Sequence, residues 1–350
     1  MSEGFDDRWA VILGVSAGSG AAIAKAVARE PGLHVFGVHR GNHPDGAASV
    51  ERAVLGARRR VHLRQAEAGT AEAAEAGADE LLAVAGPRSV KLFVHSLANA
   101  SVGRLVSGGR DQLHPRQFAK TFDSMAHSFV YWAQALLARD LLAPGCHLLG
   151  LSNPMVDTVM RNTALIAATK AALDVYVRHL AHELGPRGHR VNLLKFGAVI
   201  TPALETTFGE PGVRRLRRVL ERAIPARRLS TLDEVARFVA VLAGDAAAWF
   251  NGATIDFTGG ETQGMFDALM HADPHGDAAA TEEEGADDHD QRDGDEGPGG
   301  RDLRDPDGRR DRHPEDGLRP RGDEPGGDRG GVGAVSAGPP VRGVRRRTLL

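Results

Sequence analysis

The 350-residue chain holds one cysteine, Cys146, so no disulfide can close within it and a cysteine-based metal site is excluded. Lysine is almost as scarce, five residues against 38 arginines, which makes each retained lysine conspicuous. There are two tyrosines, Tyr131 and Tyr176, so few side chains can serve as phenolic acids. No apolar run approaches the ~20 residues that span a bilayer. No basic leader precedes the first apolar run at Trp9. A cytoplasmic protein is expected, with neither membrane nor nucleic acid as a partner, and no resident metal.

The last 80 residues lack more. Residues 271–350 contain no Phe, Tyr, Trp or Lys, but 20 acidic residues, 13 arginines and 16 glycines. Such a segment cannot bury enough apolar surface to offset its ordering entropy. A disordered, low-complexity tail is expected over 269–350, after a single domain over 1–268. Residues 1–270 are mildly basic, with 26 acidic and 30 basic side chains.

What remains is a regular alternation. WAVILGV, LHVFGV, RVHL, VKLFVHSL, CHLLGLS, HRVNLLKFG and GATIDFTGG read as strands, separated by helical patterns. Strands alternating with helices imply parallel strands joined by crossover helices. The expected fold is α/β, a single Rossmann-type doubly wound parallel sheet of about seven strands. Its ligand belongs at the carboxyl ends of the strands, at the switch point. Two long apolar helices are expected, over 117–142 and 163–184, with Gly185 and Pro186 ending the second.

Between the first strand and first helix lies GVSAGSG, with Gly14, Gly18 and Gly20 spaced G-x-x-x-G-x-G. Glycine permits positive φ and close approach of a pyrophosphate, and the helix that follows offers free N–H groups to it. Gly14, Ser16, Gly18, Ser19 and Gly20 are therefore candidate contacts to a dinucleotide. The second strand ends in Val38-His39-Arg40, without the acid that would accept from the ribose of NAD. Arg40 suits a 2′-phosphate, so NADP(H) is expected over NAD(H).

These residues, with the strand end VHSLANA, ATKAALDVY around Lys170, RVNLLKFGAVITPAL and the closing FNGATIDFTGGETQ, resemble the short-chain dehydrogenase/reductase superfamily. Within it the chain is most similar to enoyl-acyl-carrier-protein reductases, which carry His-Ser where His95 and Ser96 stand here; SFVYWAQALL from Ser128 is similar to theirs too. The resemblance runs over about residues 9–264. It implies that His95 and Ser96 border the cofactor and that Glu67 contacts adenine. It further implies that Gly197, Val199 and Thr201 bind the nicotinamide amide and that Lys170 holds the nicotinamide ribose. It implies a tyrosine four or seven residues before the lysine as well. Those positions hold Ile166 and Thr163. Ser152 follows the fifth strand as the resemblance requires, but Asn153 stands where a second tyrosine often lies.

That departure shapes the expected chemistry. Ketone reduction makes an alkoxide that needs a well-tuned acid. Reduction of an enoyl thioester spreads charge into an enolate, which needs only donors aimed at the oxygen. Thr163, Ser152 and Asn153, with Lys170, are the candidates; Thr163 reads equally as a helix cap. His95 and His127 read as proton carriers or as structural histidines. Arg214, Arg215, Arg217 and Arg218 read as a cationic surface for a carrier-bound acyl substrate or as a solvated helix face. An NADP(H)-dependent reductase of an α,β-unsaturated acyl thioester or related enone is expected, as a homodimer or homotetramer. The alternative is a protein that binds the dinucleotide without turnover, as sensor or partner subunit.

Overall fold

The computed structural model describes residues 5–271. Of the tail expected over 269–350, the residues from 272 on lie outside the described residues. Seven strands form one parallel sheet: β1 (Arg8–Leu13), β2 (Leu33–His39), β3 (Val61–Gln65), β4 (Val90–His95), β5 (Leu142–Ser152), β6 (Arg190–Phe196) and β7 (Thr254–Phe257). Their order is β3-β2-β1-β4-β5-β6-β7. Helices α1 (Gly18–Val27), α2 (Pro44–Gly56) and α3 (Ala71–Ala85) connect the first four strands. After β4 come α4 (Pro115–Phe122) and α5 (Ser128–Ala138), and α6 (Ala164–Leu184) joins β5 to β6. Then α7 (Pro202–Ala223) and α8 (Leu232–Leu242) lead to β7, and α9 (Glu261–Met270) closes the described chain.

The alternation of side chains along each strand builds two cores. Trp9, Val11 and Leu13 of β1 point to one face and pack with Phe93, Phe129, Trp132 and Leu173. Ala10 and Ile12 point to the other and pack with Ile23, Val27, Val50, Val235 and Val239. A sheet covered on both faces needs central strands that are apolar along most of their length, which is why β1 and β4 read so clearly. The outer strands β3 and β7 are only partly buried and carry polar side chains such as Arg64 and Asp256.

The helix expected over 117–142 is corrected in two ways. A π-helical turn at Asp123–His127 separates α4 from α5, and the helix ends at Ala138. Leu142 already belongs to β5. The second long helix begins at Ala164 with Thr163 at its cap position. The last helix runs to Met270, past the boundary expected at 268.

Candidate active site

The reversal of strand order falls between β1 and β4, and the glycine loop lies there. Gly14 has φ +81°, and a Cβ on it would sit 2.4 Å from the carbonyl oxygen of Ser96. A Cβ on Gly20 would sit 2.1 Å from the Gly14 oxygen. These backbones touch because side chains are absent, leaving a shallow cradle. Gly46 presses α2 against the loop in the same way, its missing Cβ 1.9 Å from the Ser16 oxygen. Ala17 occupies the cap position of α1 and gives no side-chain oxygen to the first-turn N–H groups. Those donors remain available to an anion. Cradle and donors together fit a dinucleotide pyrophosphate.

A cavity of 1060 Å³ runs from this loop across the carboxyl ends of the strands. Gly14, Ser16, Gly18, Ser19, Arg40 and Glu67 line its first half. Gly20 sits behind them, supporting Gly14. The Arg40 guanidinium lies 3.9 Å from the Glu67 carboxylate, both half-exposed. Ser96 lines the cavity and its hydroxyl lies 3.4 Å from that of Ser19. Gly197, Val199 and Thr201 line the far wall. Thr201 caps α7 by accepting from the Leu204 N–H at 3.2 Å, and a Cβ on Gly18 would lie 3.7 Å from its side chain.

Lys170 rises from α6 into the middle of the cavity, buried, with its Nζ donating to the Leu151 carbonyl at 2.7 Å. Burial lowers its pKa to about 8. Beside it Ser152 ends β5, 2% exposed, its hydroxyl without a partner. A buried hydroxyl left unpaired costs stability, so its retention beside Lys170 marks a place for a ligand oxygen. Asn153 also lines the cavity; its Oδ1 accepts from the Met155 N–H at 3.1 Å, leaving the amide nitrogen as a donor.

Other expected residues stand elsewhere. Thr163 is buried and does not line the cavity; its hydroxyl donates to the Met160 carbonyl at 3.1 Å and makes no cap bond. His95 lies beneath the site, fully buried. Ser128 donates to the Ser124 carbonyl at 2.8 Å, so the His95 Nε2–H donates to the Ser128 hydroxyl at 2.8 Å. Burial, reinforced by the Lys170 charge, lowers the His95 pKa to about 3, so it stays neutral at ordinary pH and takes up no second proton. His127 is also off the cavity, sharing a 3.0 Å hydrogen bond with the Tyr176 hydroxyl. Tyr131 packs against the same imidazole, and neither tyrosine lines the cavity. Of the four candidate arginines on α7, Arg215 lines it, while Arg214 and Arg217 pair along the helix with Glu210 and Glu221.

Four of the chain's six methionines, Met125, Met155, Met160 and Met265, line the cavity, with Phe208 and Leu216 from α7. Glu261 and Thr262 of α9 line it as well. Sequence patterns gave no sign of these: methionines scattered over 140 residues have no periodicity, and Glu261 follows a glycine pair that reads as a turn.

The family model described as enoyl-(acyl carrier protein) reductase matches residues 14–262. The chain belongs to this family. Among curated relatives, the NADH enoyl-[acyl-carrier-protein] reductase FabI of Escherichia coli (strain K12) is 31% identical over 171 residues. That match covers 48% of this chain and 62% of the relative, so the chain spans under two thirds of the FabI length. The 1-cyclohexenylcarbonyl-CoA reductase of Streptomyces collinus is 30% identical over 250 residues, covering 71% of this chain and 85% of that one. Among solved structures, a short-chain dehydrogenase/reductase mutant from Serratia marcescens superposes with a TM-score of 0.64 at 25% identity. It covers 74% of this chain and all of that one. The enoyl reductase-like members are short-chain oxidoreductases, and this chain shares their dinucleotide-binding fold.

Proposed function

We propose that this protein is an NADPH-dependent reductase of an α,β-unsaturated acyl thioester or related enone. The observation that carries the reading is the middle of the cavity. A buried ammonium and an unpaired hydroxyl stand there among apolar side chains, with no tyrosine. NADPH supplies the hydride. The glycine loop, the open N–H groups of α1 and Arg40 hold its phosphates. Lys170 holds the nicotinamide ribose, and the Gly197–Thr201 segment holds the carboxamide. The Ser152 hydroxyl and the Asn153 amide donate to the thioester oxygen as negative charge collects on it. The Lys170 charge, in a site shielded from water, adds to that stabilisation. Thr163 takes no direct part, because its hydroxyl is spent on Met160.

Preference for NADPH rests on Arg40 and on the start of α2, whose His43 lines the cavity near Arg40. The FabI relative is an NADH enzyme by name, so the preference is argued from this chain's own residues. Arg40→Ala is expected to weaken NADPH binding about tenfold and leave NADH binding unchanged. A substrate with a ring or branch suits the methionine-lined half, since thioether side chains repack around varied shapes; the Streptomyces collinus relative is named for such a substrate. The test is NADPH consumption with a panel of 2-enoyl-CoA thioesters and ketones. Turnover of the thioesters alone supports the reading. Turnover of ketones alone contradicts it.

The absence of tyrosine from the cavity also favours a second reading, a dinucleotide-binding protein without turnover. Thr163→Tyr separates the two. An inactive wild type with an active variant establishes the second reading.

For the homo-oligomer, the faces of α5 and α6 are the proposed contacts. Phe129, Trp132 and Leu136 are already consumed by the chain's own core, so the contact must use residues such as Tyr131 and the exposed Val175. Light scattering of the full chain tests this, with a monomer at micromolar concentration as the contrary result.

A further inference from the structure

The first turn of α9 brings a buried carboxylate to the cavity wall beside Gly197–Thr201. Glu261 is 7% exposed, and one of its oxygens accepts the Ala198 N–H at 2.9 Å. That approach depends on Gly197, where a Cβ would lie 2.5 Å from the same oxygen. Further along, Gly264 lets α9 press on the end of α7, its missing Cβ 1.9 Å from the Ala223 oxygen. The carboxylate is therefore fixed from both sides. Thr262 lines the same wall, and its hydroxyl is buried without a partner.

Among the described residues no cation pairs with Glu261. The charged side chain that acts on it is Asp256 at the end of β7, itself paired with Lys195 at 3.1 Å. Burial raises the Glu261 pKa, Asp256 adds to the rise, and the Ala198 N–H opposes it. A buried carboxylate without a cation is costly. Glutamine would accept the same N–H without that cost, so holding the loop does not account for the charge. The N-terminal end of α9 and the Ala198 N–H are the groups that favour ionisation.

We infer that Glu261 is a positioning residue that sets the relative affinity of the site for oxidised and reduced dinucleotide. Its carboxylate favours the positively charged nicotinamide ring over the neutral reduced one, and it orients the Ala198 N–H. The inference rests on the proposed role of Gly197–Thr201 as the nicotinamide segment. A carboxylate on the wall of a partly enclosed site is expected to favour the cationic ring by about tenfold in affinity.

The experiment is calorimetric titration of the full-length protein and of Glu261→Gln with NADP⁺ and with NADPH. The expected result is an NADP⁺ dissociation constant raised about tenfold with the NADPH constant changed less than about twofold. Glu261→Ala also removes the acceptor for Ala198. It is expected to weaken both ligands while shifting their ratio in the same direction. A ratio unchanged in both variants, whatever the separate affinities do, overturns the role of Glu261 alone. A wild type that binds neither NADP(H) nor NAD(H) overturns the underlying reductase reading as well.

Discussion

The two halves of the cavity are built on opposite principles. The half proposed for the cofactor is made of backbone held at contact distance by absent side chains: Gly14 against Ser96, Gly20 against Gly14, Gly46 against Ser16. The half proposed for the substrate is lined by flexible apolar side chains, Met125, Met155, Met160 and Met265 with Phe208 and Leu216. One half cannot change without moving a carbonyl. The other repacks around a changed side chain. Rigidity where a dinucleotide would lie, and plasticity where a substrate would lie, is what the contrast teaches.

The largest effect is expected from Gly20→Ala. The new methyl would lie 2.1 Å from the Gly14 oxygen, and the displaced loop should lose about a hundredfold or more in NADPH affinity by calorimetry. Lys170→Ala comes next, with kcat/KM lower by about a hundredfold. The wild type adds a pH test. Burial depresses the Lys170 pKa to about 8, so the ammonium is present below that pH and lost above it. Turnover should hold below about pH 8 and decline above. Stability should run the other way. Between about pH 8 and the ordinary lysine range near 10.5, the unfolded chain binds the extra proton and folding strengthens as pH rises. Denaturant midpoints across that range check the sign, and Lys170→Ala should flatten both profiles.

Ser152→Ala is expected to lower kcat by about tenfold to a hundredfold. Stability should stay level or rise by about 1 kcal/mol, since the hydroxyl has no partner to lose. A loss of stability with unchanged turnover would make it a structural serine. The smallest effect is expected in the plastic half. Met160→Leu should leave kcat/KM within about threefold and the thermal midpoint nearly unchanged. A hundredfold loss there would show that the substrate half is as rigid as the cofactor half.

The same contrast governs what the sequence disclosed. β1 and β4 were legible because strands buried on both faces are apolar at most positions. The glycine loop was legible because its geometry demands glycine at fixed spacing. The break between α4 and α5 was not, since no proline or glycine between Arg116 and Leu142 marks the π-turn at Asp123–His127. Thr163 was chosen from its distance to Lys170 along the chain, and that distance says nothing of where a hydroxyl at a helix start will donate. His95 adjoins the site in sequence but is turned beneath it by Ser128. Glu261 and the four methionines gather from separate segments that only the tertiary fold brings together.

The central claim is hydride transfer to an enoyl thioester in this cavity, and isotopic transfer tests it most directly. The full-length protein would be mixed with NADPH deuterated at the nicotinamide C4 and a 2-enoyl-CoA, and the product read by mass spectrometry and NMR. The account predicts one deuterium on the β-carbon of the saturated thioester, formed about a hundredfold more slowly in Lys170→Ala. Unlabelled, unreduced substrate beside tightly bound NADPH would contradict it and leave a dinucleotide-binding protein without turnover.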